Sequence, residues 1–206
     1  MRKAAIALAI LTLPSAALAD SPNWNKVEAS YLDTDLGVDN VGELSLDGFR
    51  AGGSVAIDQD FVVLKNIFAF ANFSSVSEED NSASIDLDYL SAGIGSFKSL
   101  SDSTDLYATA SFERIEVATS SILTEPTSDS EKAVGVGIGL RSMVTPNIET
   151  NAKIDYIAFD EATVRLDISA FYHLTNSLSF GLAYETYKEL DYADIDSIRA
   201  SVRYSF

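Results

Sequence analysis

The sequence predicts an all-β protein, a single antiparallel up-and-down barrel of about ten strands whose apolar face looks outward into a membrane. Three observations carry the prediction. Apolar and polar residues alternate with a period of two in segment after segment. Turn-forming residues separate those segments at near-regular spacing. The final stretch, 198–206, places Ile198, Ala200, Val202, Tyr204 and Phe206 on one face and Arg199, Ser201, Arg203 and Ser205 on the other. Successive side chains of a strand point to opposite faces, so this segment has one oily, aromatic side and one cationic, hydroxylated side.

The N-terminal end reads as an export signal. Arg2 and Lys3 precede an apolar run over 4–13, and Ala17-Leu18-Ala19 forms an A-x-A cleavage site. The run is too short to cross a bilayer as a helix, which takes about 20 residues. Residues 1–19 are therefore expected to be a cleaved signal peptide and 20–206 one barrel domain. The chain holds no cysteine, which excludes both a lipid-modified cysteine anchor and disulfides. A closed barrel needs neither, because its main-chain groups satisfy one another.

Composition narrows the partners. The chain has 31 acidic and 14 basic residues, a net charge of −17, and loss of Arg2 and Lys3 makes the remainder two charges more negative. Such a chain repels phosphate backbones, so nucleic acid is excluded. Neither a linker nor a low-complexity tract marks a second module.

The predicted strands are 24–32, 44–57, 62–76, 84–97, 105–118, 132–144, 148–159, 162–174, 178–189 and 194–206. Each is about as long as a tilted membrane strand or slightly longer. If two weak segments belong to loops, eight strands is the fallback. The connections at 58–60, 99–104, 145–147 and 175–177 are mostly tight; those at 33–43, 77–83, 119–131, 160–161 and 190–193 tend to be longer and more acidic. Short turns on one side and longer loops on the other imply that both termini share the short-turn side, the periplasmic one.

Phase is clearest in the second half. Leu178, Phe180, Leu182 and Tyr184 oppose Ser179, Gly181, Ala183 and Glu185. Val134, Val136, Ile138 and Leu140 oppose Gly135, Gly137, Gly139 and Arg141. Segment 84–97 changes phase between Tyr89 and Leu90, the mark expected of a β-bulge. The export signal and the aromatics near strand ends turn the oily face outward, with Tyr156, Tyr172, Tyr184, Tyr204 and Phe206 as interfacial girdles.

The opposite face defines the candidate site. Arg50, Arg141, Lys153, Arg165, Arg199 and Arg203, with Lys26, share the inward phase with Glu28, Glu113, Glu149, Asp155, Asp167 and Glu185. Charges away from water cost several kcal/mol unless paired, so a narrow lumen of mixed sign should form salt-bridged ladders. That reading makes the interior a polar plug. The rival is a charge-lined water path, with Gly52, Gly135, Gly137, Gly139 and Gly181 leaving room on the inner wall. The run Gly135-Val136-Gly137-Ile138-Gly139 lacks the G-x-G-x-x-G spacing of a dinucleotide site, and no cofactor motif is present.

Outside the lumen the signals are weaker. His173, the sole histidine, falls at the short-turn rim and reads as a rim polar group, not a catalyst. The acids Asp33, Asp35, Asp39, Glu78, Glu79, Asp80, Asp160, Glu161, Asp191, Asp194 and Asp196 lie in loops or at their edges. They lack the spacing of a calcium loop, which leaves solvated acids with weak divalent-cation binding as the alternative. Arg114 and Lys188 fall on the outward phase at loop-side strand ends, within reach of lipopolysaccharide phosphates.

Signal peptide, alternating strands, turn and loop asymmetry and the closing Phe206 together resemble the small bacterial outer-membrane β-barrels typified by OmpA's membrane domain and OmpX. The resemblance covers the chain beyond the signal and is architectural. It implies residence in the outer membrane of a Gram-negative envelope, among lipid and lipopolysaccharide. It also implies that Tyr204 and Phe206 are read by the barrel-assembly machinery. None of those families' enzyme motifs maps onto this chain. Three function classes stay open: a structural or narrow porin-like barrel, a surface-interaction barrel acting through acidic loops, and, last, an outer-membrane hydrolase.

Overall fold

The computed structural model describes residues 21–38, 42–57, 66–80, 83–121, 124–190 and 193–206. The expected signal segment 1–19, the turn 58–60, residues 62–65 and the loop acids Asp39 and Asp191 lie outside them.

Ten strands follow one another: β1 Lys26–Val38, β2 Gly42–Ile57, β3 Ile67–Asp80, β4 Ala83–Ser101, β5 Thr104–Ser121, β6 Thr124–Thr145, β7 Ile148–Ile157, β8 Thr163–His173, β9 Leu178–Leu190 and β10 Ala193–Ser205. Each pairs antiparallel with its sequence neighbours, and β1 pairs with β10 to close an up-and-down barrel. Closure leaves no open sheet edge within the ring, the condition for crossing lipid with strands. All ten predicted strands are present.

Two expectations need correction. The connections predicted at 33–43, 77–83 and 119–131 are largely ladder: β1 runs to Val38, β3 to Asp80 and β5 to Ser121, and their partners begin at Gly42, Ala83 and Thr124. Acidic and hydroxylated residues there had suggested loops, yet main-chain pairing does not need an apolar face, and these strand ends pair as far as Val38 with Gly42, Asp80 with Ala83 and Ser121 with Thr124. The bulge predicted between Tyr89 and Leu90 is also absent, because the β3–β4 and β4–β5 registers run through these residues without a shift. The pleat keeps its phase there, and the surroundings of each face are what change.

That change is the main feature of the fold. In the half nearest the termini, outward positions are apolar: Val27, Phe180, Leu182, Val202 and Tyr204 are all exposed. In the far half the outward positions are Asp33, Asp35, Asp47, Asp86, Asp194 and Ser45, while inward positions hold Leu32, Leu36, Leu46, Val76, Leu87 and Ile195 in a buried cluster. Leu46 is fully buried. The boundary runs around the barrel at Tyr31/Asp33, Phe49/Asp47, Phe73/Ser75, Leu90/Asp88, Phe112/Arg114, Tyr184/Thr186 and Ile198/Asp196. Aromatics mark it, and two anchor to the wet side: the Tyr31 hydroxyl donates to Asp47 and that of Tyr184 to Asp196, both at 2.7 Å. The expected girdle residues Tyr156, Tyr172, Tyr184, Tyr204 and Phe206 all face outward and exposed.

Candidate functional site: the barrel interior

Within the terminal half the inward side chains form a dense charge ladder. Arg50 holds Glu185 through two hydrogen bonds of 2.6 and 3.1 Å. Arg199 bridges Glu185, at 3.2 Å, and Asp167, at 2.5 Å. Arg141 grips Glu149 with two 2.9 Å hydrogen bonds. Arg203 reaches the same carboxylate at 2.6 Å and Glu28 at 3.1 Å. Arg165 pairs with Asp155 at 3.0 Å and Glu113 at 3.7 Å, and Lys153 reaches Asp155 at 2.8 Å. The inward residues named from sequence therefore lie in three clusters of ion pairs, one around Glu185, one around Glu149 and one around Arg165, with Lys26 on the wall of the same space. Glu113 is fully buried and accepts from Tyr89, at 2.6 Å, and from Ser91, at 3.0 Å.

Several members of the site were invisible to the charge pattern. The Tyr89 hydroxyl also accepts a 2.8 Å hydrogen bond from Arg165, so it links two layers of the ladder. Toward the terminal rim, Trp24, Phe68 and Tyr107 form a buried aromatic cluster joined by Phe70 and Phe97. Trp24 stacks on Phe68 with ring centroids 4.2 Å apart, and its indole N–H donates to Asp105 at 2.9 Å. The Arg141 guanidinium lies over the Trp24 ring and that of Arg203 over Phe171, at 4.9 and 3.4 Å from the centroids. Trp24 headed the predicted strand 24–32 but precedes β1, which begins at Lys26.

The inner-wall glycines do not widen a path. A Cβ on Gly139 would strike the Tyr107 ring, one on Gly181 the Phe171 ring, and one on Gly95 the Phe68 ring. Gly52 and Gly137 face Asn72 and Asp155 just as closely. These glycines are recesses in which a neighbouring strand's side chain lies flat against the wall. The expectation that they leave open room is corrected accordingly. A cavity of about 160 Å³ lies among these side chains, lined by the ion pairs and by Trp24, Phe68 and Tyr107.

His173 shows a superficially catalytic arrangement. Its Nδ1 sits 2.9 Å from the Ser179 hydroxyl and its Nε2 3.6 Å from Glu149. Ser179, however, is fully buried, and Glu149 already serves two arginines. A nucleophile needs room for a carbonyl or ester beside its oxygen, and this hydroxyl has none.

On the outer surface Arg114 pairs with Glu116 at 2.6 Å, and Lys188 with Asp194 and Asp196 at 3.1 and 3.7 Å. Both cations stand on the outward face just past the apolar band. Around them carboxylates meet directly across the ladder, Asp33 opposite Asp47, Asp35 opposite Asp196 and Asp88 opposite Glu116. Among the described residues no group of three or more His, Asp or Glu side chains is placed to hold a metal ion.

An outward apolar band, a charge-paired interior and complete strand closure define a transmembrane β-barrel of the bacterial outer-membrane type. The chain belongs to the outer membrane protein β-barrel domain family, whose model matches residues 4–206. No curated protein matches it in sequence. Among solved structures it is similar to the translocator domain of the autotransporter NalP from Neisseria meningitidis, at 12% identity over 92% of this chain and 91% of that one, with a TM-score of 0.51. It is similar to the NanC porin at 8% identity over 88% of this chain and 100% of that one, with a TM-score of 0.50. Ail of Yersinia pestis, solved with the heparin analogue sucrose octasulfate, matches at 16% identity over 88% of this chain and 97% of that one, with a TM-score of 0.48. At such identities the likeness is one of fold.

Proposed function

We propose that this protein is a structural, non-conducting barrel of the outer membrane, without enzymatic activity, that presents an acidic wall beyond the lipid. The observation that carries the reading is how the barrel is filled: the inward charges are paired, aromatic and polar side chains occupy the wall glycines, and a buried apolar cluster closes the far half. An ion entering from the far rim meets an apolar layer before it meets the charges, and shedding its hydration there has no compensation. Residues 1–19 serve as the export signal, both termini face the periplasm, and the far half stands outside the cell. Tyr204 and Phe206 close the strand that the assembly machinery engages.

Planar-bilayer recording of the refolded protein tests this reading directly. The expected result is no steady conductance above leak at either polarity. A steady ohmic current that scales with salt would overturn it in favour of the narrow porin-like channel. The surface-interaction reading draws on the acidic wall itself. There Arg114 and Lys188 lie level with the lipopolysaccharide phosphates, and divalent cations can bridge wall carboxylates to those phosphates. Calorimetric titration with calcium at millimolar concentration checks it: measurable heat that vanishes in Asp33→Asn/Asp47→Asn supports the bridge, and an unchanged baseline removes it.

A further inference from the structure

β6 is the longest strand, and its neighbour on one side stops early. β5 pairs with it as far as Thr124, but the β6–β7 register ends at Gly135 opposite Ile157, followed by one more bond from the Ala158 N–H to the Val134 carbonyl. Among the described residues, β6 beyond Val134 has a ladder partner on the β5 side alone. Main-chain groups two residues apart face the same neighbour in an antiparallel ladder, so those of Lys132, Ser130 and Ser128 point where β7 would have been. Pro126 follows the same parity and has no N–H to offer, as expected of proline on an open edge. The Ser130 N–H is met by its neighbour's carboxylate, at 2.9 Å from Asp129. The open stretch is therefore 127–133.

The inner face of this edge is a groove. A cavity of about 390 Å³ lies against it, floored by Ile115 and Val117 of β5 and edged by Asp129 and Glu131 of β6. Asp160 stands beside it, its N–H donating to Glu131. Main-chain groups, an apolar floor and acidic side chains thus meet on one side of one strand.

We propose that this edge is a docking site for an extended cationic polypeptide segment, which adds to β6 as a further strand. Its main chain pairs with Ser128 and Lys132. Its inward side chains are lysines or arginines that reach Asp129 and Glu131, with their aliphatic stems toward Ile115 and Val117. Main-chain pairing supplies affinity and the alternate pockets supply selectivity, the general logic of strand addition. Charge decides between occupants. A second copy of this chain would bring its own Asp129 and Glu131 against these acids, whereas a cationic segment neutralises them. The proposal is independent of whether the barrel conducts.

The test uses the full refolded protein in detergent micelles and two fluorescent ten-residue probes, one alternating lysine with valine, the other glutamate with valine. The lysine probe should bind and the glutamate probe should not. Ser128→Pro, which removes an edge N–H and leaves charge unchanged, should weaken binding at least tenfold. Asp129→Asn/Glu131→Gln should weaken it several-fold and flatten its salt dependence. Should Ser128→Pro not fold, hydrogen exchange on the unaltered protein replaces it: the Ser128 and Lys132 amides should exchange quickly alone and at least tenfold more slowly with the lysine probe. Equal binding of both probes, no binding at millimolar probe, or full binding by Ser128→Pro would overturn the proposal. So would edge protection without probe together with a doubled protein mass, which would assign the edge to self-pairing.

Discussion

The two halves of this barrel use the same ten strands and the same alternation to opposite ends. In the terminal half aliphatic side chains face out and the charges face in; in the far half Leu46 and its neighbours face in, and Asp33, Asp35, Asp47, Asp86 and Asp194 face out. Crossing the boundary changes the solvent on the outer face from lipid to water, and the sequence inverts with it. What fixes which face is oily is the medium it touches, not the strand. The terminal half commits its aliphatic residues to lipid and fills its centre with paired arginines and carboxylates beside an aromatic cluster. The far half packs as a water-soluble barrel does.

The comparison breaks first at the ion pairs. Glu185→Ala leaves Arg50 and Arg199 facing each other with much of their counter-charge gone, and removing one partner of a buried pair costs about 3–5 kcal/mol. Unfolding of the reconstituted protein in urea should show a loss of that size. A loss near zero would mean the ladder is hydrated enough to be dispensable.

In the far half the equivalent test is Leu46→Ala, which opens a cavity in a packed apolar core and should cost about 2–5 kcal/mol by the same measurement. A small change would mean that this half is not packed as a core.

The outer faces can be set against each other with one cation. Ile138→Arg puts a charge in the middle of the apolar band and should cost about 2–4 kcal/mol. Asp86→Arg, on the same face of the barrel beyond the boundary, should stay within about 0.5 kcal/mol. Equal costs would erase the boundary. A comparably small effect is expected at the exposed pair of Lys188 with Asp194 and Asp196, where Lys188→Ala should change stability by at most about 1 kcal/mol.

Strand number, closure and the inward ionic set were legible in the sequence because each rests on a period of two. The arginines and carboxylates named from phase alone all line the lumen, since a single slip would have exposed them to lipid. The far half was misread for the same reason. Asp33, Asp35, Glu78 and Glu79 looked like loop acids, although they stand in β1 and β3, because a membrane strand was assumed to be oily outside along its whole length. The apparent phase change at Tyr89/Leu90 was the signal of the inversion, and Tyr89, Ser91 and Gly93 continue inward without a break. The seats of Tyr107 and Phe171 could not be read from alternation, because an inward aromatic over a glycine needs the register of two strands at once.

The inversion can be mapped residue by residue, because the chain has no cysteine and single-cysteine variants are therefore clean. Spin labels at 194, 196, 198, 200 and 202 on β10 of the bilayer-reconstituted protein would be tested for collision with oxygen, which partitions into lipid, and with a water-soluble nickel chelate. The account predicts oxygen-dominated collisions at 198, 200 and 202 and nickel-dominated collisions at 194 and 196, with the crossover between Asp196 and Ile198. Oxygen-dominated collisions along all five positions would contradict it.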